Sequence, residues 1–155
     1  MRPIALTLAT ALLIAGCGGT AATSSPTPTQ AASPSPTPAP TIVAKLTTDA
    51  KLGKILVDNA TGKTLYTWAK DNDENSQCYD QCATFWPPLV TTAKTVAADG
   101  VTAGKFGTSA RKDGALQVTF NGHPLYFYAN DKAPGETNGQ GSTGFGAVWV
   151  VVPAQ

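Results

Sequence analysis

Histidine occurs once in this 155-residue chain, at position 123, and methionine only as residue 1. A single imidazole, with no G-x-S-x-G turn and no Ser or Asp constellation around it, offers no nucleophilic triad. The lone methionine excludes a Met-rich copper site. Eleven basic residues against ten acidic ones give a net charge of +1. No basic stripe is visible, so neither nucleic acid nor anionic lipid is selected by charge. Apolar runs are short as well, and none reaches the roughly 20 residues that a membrane-spanning helix needs.

The first residues, "MRPIALTLATALLIAGCGG", have one Arg, an apolar run of about a dozen residues and then small side chains, the layout of an export signal. Ile14-Ala15-Gly16-Cys17 resembles a bacterial lipobox, whose cysteine is acylated (palmitate being one such chain) and becomes the first mature residue. Two or more acyl chains suffice for stable anchoring where one is marginal. The expectation is a signal peptide over 1–16 and a lipid attachment at Cys17. Gly18, not Asp, follows the cysteine, which points to the outer membrane if the cell has two. Residues 18–40, "GGTAATSSPTPTQAASPSPTPAP", carry neither charge nor a large apolar side chain. Such a segment cannot offset its ordering entropy. With Thr41 it reads as a disordered, Pro-stiffened stalk reaching about 70 Å at about 3 Å per residue.

What remains, 42–155, is one ordinary domain, and it repeats itself. "GKILVD" at 53–58 aligns with "GALQVT" at 114–119 if one residue is inserted in the turn that follows. Leu65-Tyr66 and Leu125-Tyr126, then Trp68 and Tyr128, then Asp71 and Asp131, succeed them in the same order. Each copy closes on a Trp-led apolar run, "FWPPLV" and "VWVVV". Asn121-Gly122 is a hairpin signal, because both residues accept positive φ. Strand alternation sets Tyr66 and Trp68 on one face and Leu65 and Thr67 on the other; Tyr126 and Tyr128 likewise oppose Leu125 and Phe127. The prediction is a mostly β fold: two tandem copies of a hairpin-plus-strand unit, about 46–106 and 107–152, packed as one small antiparallel domain. A short helical turn is expected near Cys78 and Cys82, ended by Pro87-Pro88. The repeated Tyr-x-aromatic-x-x-Asp reads as a structural latch, each carboxylate taking turn N–H groups or a Tyr hydroxyl.

These paired motifs, with "CYDQCATFWPPL", "NGHPLYFYA" and "PGETNGQGSTGFGAVW", resemble the secreted-repeat family of predicted bacterial lipoproteins with a Tyr-x-(Phe/Trp/Tyr)-x-x-Asp motif. The resemblance covers about residues 46–152. It implies an exported, repeat-built lipoprotein and brings no reaction with it.

With Cys17 acylated, Cys78 and Cys82 remain, and outside the cytoplasm an even count favours a disulfide. The alternative is a redox or metal-handling protein, with copper held by Cys78, Cys82 and His123. Three intervening residues and the acidic neighbours Asp73, Glu74 and Asp80 disfavour a reactive dithiol, and two thiolates are too few for a metal site. "DNDENS" at 71–76 begins like a calcium loop but lacks the Gly and the closing Glu. Gly139, Gly141 and Gly144 spell G-x-G-x-x-G without the helix and acid that dinucleotide binding requires. Asp71 and Asp131 as a sugar-flanking pair lack anything to position a substrate. The reading is thus an extracytoplasmic, lipid-anchored protein with a structural or binding role at the envelope, an unknown envelope ligand or protein as partner, no cofactor, no bound metal and no assigned catalysis.

Overall fold

Among the described residues, strand-forming runs separated by turn residues fold into nine short strands and one turn of helix. The computed structural model describes residues 38–102 and 105–153. The expected signal peptide, Cys17 and the stalk up to residue 37 lie outside the described residues. β1 (Thr41–Asp49) and β2 (Gly53–Asp58) form an antiparallel hairpin, and a short return leads into β3 (Tyr66–Trp68). A loop with the helix α1 (Gln81–Phe85) follows, then β4 (Val90–Thr91) and β5 (Val96–Asp99). The second copy follows with β6 (Phe106–Ala110), β7 (Leu116–Phe120), β8 (His123–Pro124), a 3₁₀ turn at Gly144–Gly146, and β9 (Trp149–Val151). The pairings are antiparallel except β1 with β5, which run parallel.

The closing strand of each copy does not stay with its own hairpin. β4 of the first copy pairs with β7 of the second, and β9 of the second pairs with β3 of the first. Backbone hydrogen bonds repeat the exchange on both sides. Leu56 N–H donates to Val152 O (3.1 Å) and Val152 N–H to Leu65 O (3.0 Å). At the equivalent place Val118 N–H donates to Leu89 O (2.8 Å) and Leu89 N–H to Leu125 O (2.9 Å). Between the halves, Tyr66 and Tyr126 exchange both backbone bonds, at 2.9 and 3.0 Å. A local pseudo-twofold axis passes through that pair.

The same bonds correct the alignment of the two hairpins. Leu56 matches Val118, not Gln117, so the turns differ by two residues rather than one. The second hairpin closes over Asn121 and Gly122 alone, with φ of 51° and 79°, as the Asn-Gly signal requires. A one-residue slip moves every side chain of a strand to the opposite face. Gln117 and Thr119 therefore take the places of Ile55 and Val57, and a polar patch enters the second copy where the first is apolar.

Alternation divides the interior in two. One core gathers Leu56, Leu65, Leu89, Val118, Leu125 and Val152; the other gathers Tyr66, Trp68, Trp86, Tyr126 and Trp149 with the cysteines. The strands bearing the motif are buried on both faces.

Candidate functional site

Tyr66 and Tyr126 are fully buried, and their carboxylate partners Asp71 and Asp131 are each only 1% exposed. The partnership crosses between copies. Tyr66 OH donates to Asp131 Oδ2 at 2.7 Å, and Tyr126 OH donates to Asp71 Oδ2 at 2.6 Å. Each aspartate also fastens its own loop: Asp71 Oδ1 accepts from Gln77 N–H (2.8 Å), and Asp131 Oδ1 from Asn138 N–H (3.0 Å). Every one of these bonds is donated to the carboxylate and favours its ionised form. Burial acts the other way and prevails, holding both aspartates above the ordinary carboxylate range. Burial and then the aspartate partner push both phenols well above their ordinary range.

Around this cross the aromatic rings form a continuous stack. Trp68 lies on Trp149 (centroids 4.8 Å, planes 5° apart), Trp149 on Trp86 (3.9 Å, 1°), and Trp86 on Tyr128 (4.4 Å, 29°). The pseudo-twofold axis relates the two halves, so that Trp86 corresponds to Trp149 and Trp68 to Tyr128. Tyr66 meets Trp86 edge-on at 5.4 Å, and Tyr126 meets Trp149 edge-on at 5.1 Å. Such edge contacts suit the ring quadrupoles. Lys70 Nζ sits 5.2 Å from the Trp68 ring, and Asn130 donates to the Tyr128 hydroxyl at the other end. Gly139 lies against the stack: a Cβ there would stand 2.7 Å from the Trp86 ring. That close approach accounts for one glycine of the G-x-G-x-x-G string, and φ of +76° accounts for Gly141.

A third feature escapes sequence reading. Arg111, 5% exposed, reaches into the slot that Gln117 opens. Its Nη1 donates to Gln117 Oε1 (2.7 Å) and Ser76 Oγ (2.9 Å), its Nη2 to Cys78 O (3.0 Å), and its Nε pairs with Asp113 Oδ2 (3.0 Å). Tyr126 OH also lies 2.8 Å from Ser76 Oγ. The buried guanidinium and the Asp71 carboxylate are thus joined through Ser76 and Tyr126. The one available signal was "SARKDG" at the β6–β7 turn, where an Arg stands two residues before an Asp.

Cys78 and Cys82 form the disulfide, with Cα atoms 5.2 Å apart and exposures of 0% and 7%. Only Cys82 lies within α1; Cys78 precedes it, so the bond clamps the helix to its entering loop. His123 is exposed on the hairpin and its Nδ1 faces the Asp71 backbone carbonyl at 3.2 Å. Among the described residues no three His, Cys, Asp or Glu side chains gather as a metal site. In "DNDENS", Asp71 is buried and Asp73 accepts from Asn75 N–H, so their oxygens serve the loop itself. A shallow depression of about 270 Å³ beside His123 is lined by Trp68 and Asp71 but not by Asp131. The Asp71 and Asp131 carboxylates are instead each turned to a buried phenol of the other copy.

No curated protein and no solved structure matches the chain. The model of a family described as a secreted repeat of unknown function matches it twice, over residues 46–90 and 107–153. Each matched segment ends on the exchanged strand, and a disulfide agrees with a secreted family. The two copies together span more than half of the sequence, and the chain belongs to this family of secreted repeats.

Proposed function

We propose that the protein is a lipid-anchored lipoprotein, held outside the cytoplasm through Cys17 on the 18–41 stalk, whose domain has a structural or binding role at the cell envelope. The observation that carries the reading is the engagement of the reactive groups. Asp71, Asp131, Tyr66, Tyr126, Cys78 and Cys82 are buried and bonded to one another or to the backbone. The exposed apolar groups include Phe85 and Phe145, whose rings lie 6.0 Å apart, and Val148. Apolar surface of this kind suits contact with an envelope partner better than turnover. The crossed Tyr–Asp bonds act in this reading as the latch that holds the two copies together.

The alternative, redox or metal chemistry at Cys78 and Cys82, has burial against it, since thiol exchange needs an accessible sulfur. Fractionation of the producing cell tests the anchor. The native chain is expected in the membrane fraction with incorporated palmitate, and the Cys17→Ser variant in the soluble extracytoplasmic fraction without it. Membrane retention of the unlabelled variant would refute the anchor. Loss of an envelope activity on mild reduction of a still-folded chain would favour the cysteine alternative.

A further inference from the structure

All three tryptophans of the chain and three of its four tyrosines belong to one assembly. Hydrophobic burial alone does not require this. Apolar side chains pack in many orientations, whereas here four rings lie face to face, and the two phenols that meet the inner tryptophans edge-on, Tyr66 and Tyr126, are each hydrogen-bonded to a buried carboxylate. Overlapping π systems in contact pass single electrons readily. A tyrosine surrenders an electron easily only if its hydroxyl proton has somewhere to go, because the phenol radical cation is strongly acidic. Asp131 and Asp71 stand at 2.7 and 2.6 Å from those hydroxyls. Their raised pKa makes them better proton acceptors than surface carboxylates.

We propose that the stack is a one-electron relay that takes up oxidising equivalents from an outer-sphere oxidant, such as a peroxide-derived radical, and holds them on Tyr66 or Tyr126. The oxidant removes one electron from a stacked indole and is itself reduced. Tyr66 then gives one electron to the Trp86 radical cation and restores the indole. In the same step its O–H bond breaks and the proton forms an O–H bond on Asp131 Oδ2, leaving a neutral tyrosyl radical beside a neutral acid. Tyr126, Trp149 and Asp71 provide the mirror route. A diffusible one-electron reductant returns the electron, and the proton goes back to the phenol. Tyr128, half-buried at one end of the stack, is the ring nearest to solvent, and the electron taken from the Trp86 indole passes out across it to the oxidant. The relay is independent of the lipid anchor and stands whether or not Cys17 is acylated.

Flash oxidation with photogenerated ruthenium(III) tris-bipyridine, followed by the visible absorption of tryptophanyl and tyrosyl radicals, tests this on the purified chain. Tyr79, the one tyrosine outside the assembly, supplies the control. The expected result is a tyrosyl radical that persists in Tyr79→Phe. In the Asp71→Asn, Asp131→Asn double variant its yield should fall at least about tenfold, the factor set by losing one charge-assisted hydrogen bond, while tryptophanyl persists. An unchanged tyrosyl yield in the double variant, or its disappearance in Tyr79→Phe, overturns the relay. If the double variant does not fold, the unaltered chain decides the matter. Tyrosyl growth should be slower in D₂O than in H₂O, and equal rates would overturn the coupled proton transfer.

Discussion

Tyr66 spans the two copies with a single hydroxyl. Replacing it with Phe leaves Asp131 buried with only Asn138 to donate to it and costs about 2 kcal/mol, the usual penalty for stranding a buried charged acceptor. Urea denaturation measures it. Titration gives a second prediction. Because burial raises the folded-state pKa of Asp131, the folded chain binds that proton more tightly than the unfolded chain does. The associated stability is fully present below the ordinary value of 3.8 and is lost as pH rises through the raised one. Asp131→Asn does not titrate, so the stability difference between native chain and variant should shrink as pH rises from about 4. A difference that grows over that range would contradict the assignment. Asp49, Asp113 and Glu136 lie near the surface and are held low, chiefly by backbone N–H donors, so they contribute the opposite slope; this slope cancels in the comparison. At this scale the sequence was readable in part. Tyr-x-aromatic-x-x-Asp announced a carboxylate near a phenol, but nothing in a linear repeat says that the bond joins one copy to the other.

Among the elements, the hairpins were the most legible. Asn121-Gly122 fixed one turn, and alternation separated Leu65 and Leu125 from Tyr66 and Tyr126 correctly. The register of β2 against β7 was not legible, because Gly53 and Val57 find plausible matches in Gly114 and Val118 one residue away from the true correspondence. That slip hid the polar slot at Gln117 and with it the buried Arg111, whose partners come from three separate segments. The loop before β9 carries its own test. In Gly139→Ala the new methyl would meet the Trp86 ring at 2.7 Å, with Tyr128 at 3.0 Å, and the Trp86 ring is held between Trp149 and Tyr128. A loss of about 1–3 kcal/mol is expected, the usual cost of overpacking. A weakened near-ultraviolet circular dichroism of the tryptophans should accompany it. Gly122→Ala strains the turn without touching the stack and should leave that spectrum intact once folded.

At the level of the whole domain, the reciprocal exchange makes the two repeats interdependent. Counting repeats predicted two units packed against each other, and only coordinates could show that each lends its closing strand to its neighbour. A sequence repeat records which strands exist, whereas the choice of partner is decided by loop reach and by burial on both faces. The consequence is measurable with fragments divided in the β5–β6 connection. Neither 38–102 nor 105–153 alone should give the spectrum of stacked tryptophans, since Trp86 and Trp149 come from different halves; mixing the two should restore it. A half that folds alone as a monomer would contradict the exchange, whereas a half that pairs with its own twin would be the same exchange made between identical chains.

The position of β9 also governs when the domain can close. A polypeptide that emerges N-terminus first, from a ribosome or from a narrow translocation channel, presents β3 long before the strand that must lie beside it. Until residues 149–151 arrive, Tyr66 has no carboxylate secured by its finished loop and the central indole pair is missing one member. The β1–β2–β5 sheet can form early, whereas closure of the aromatic interior is deferred to the moment when the trailing segment is clear of the pore.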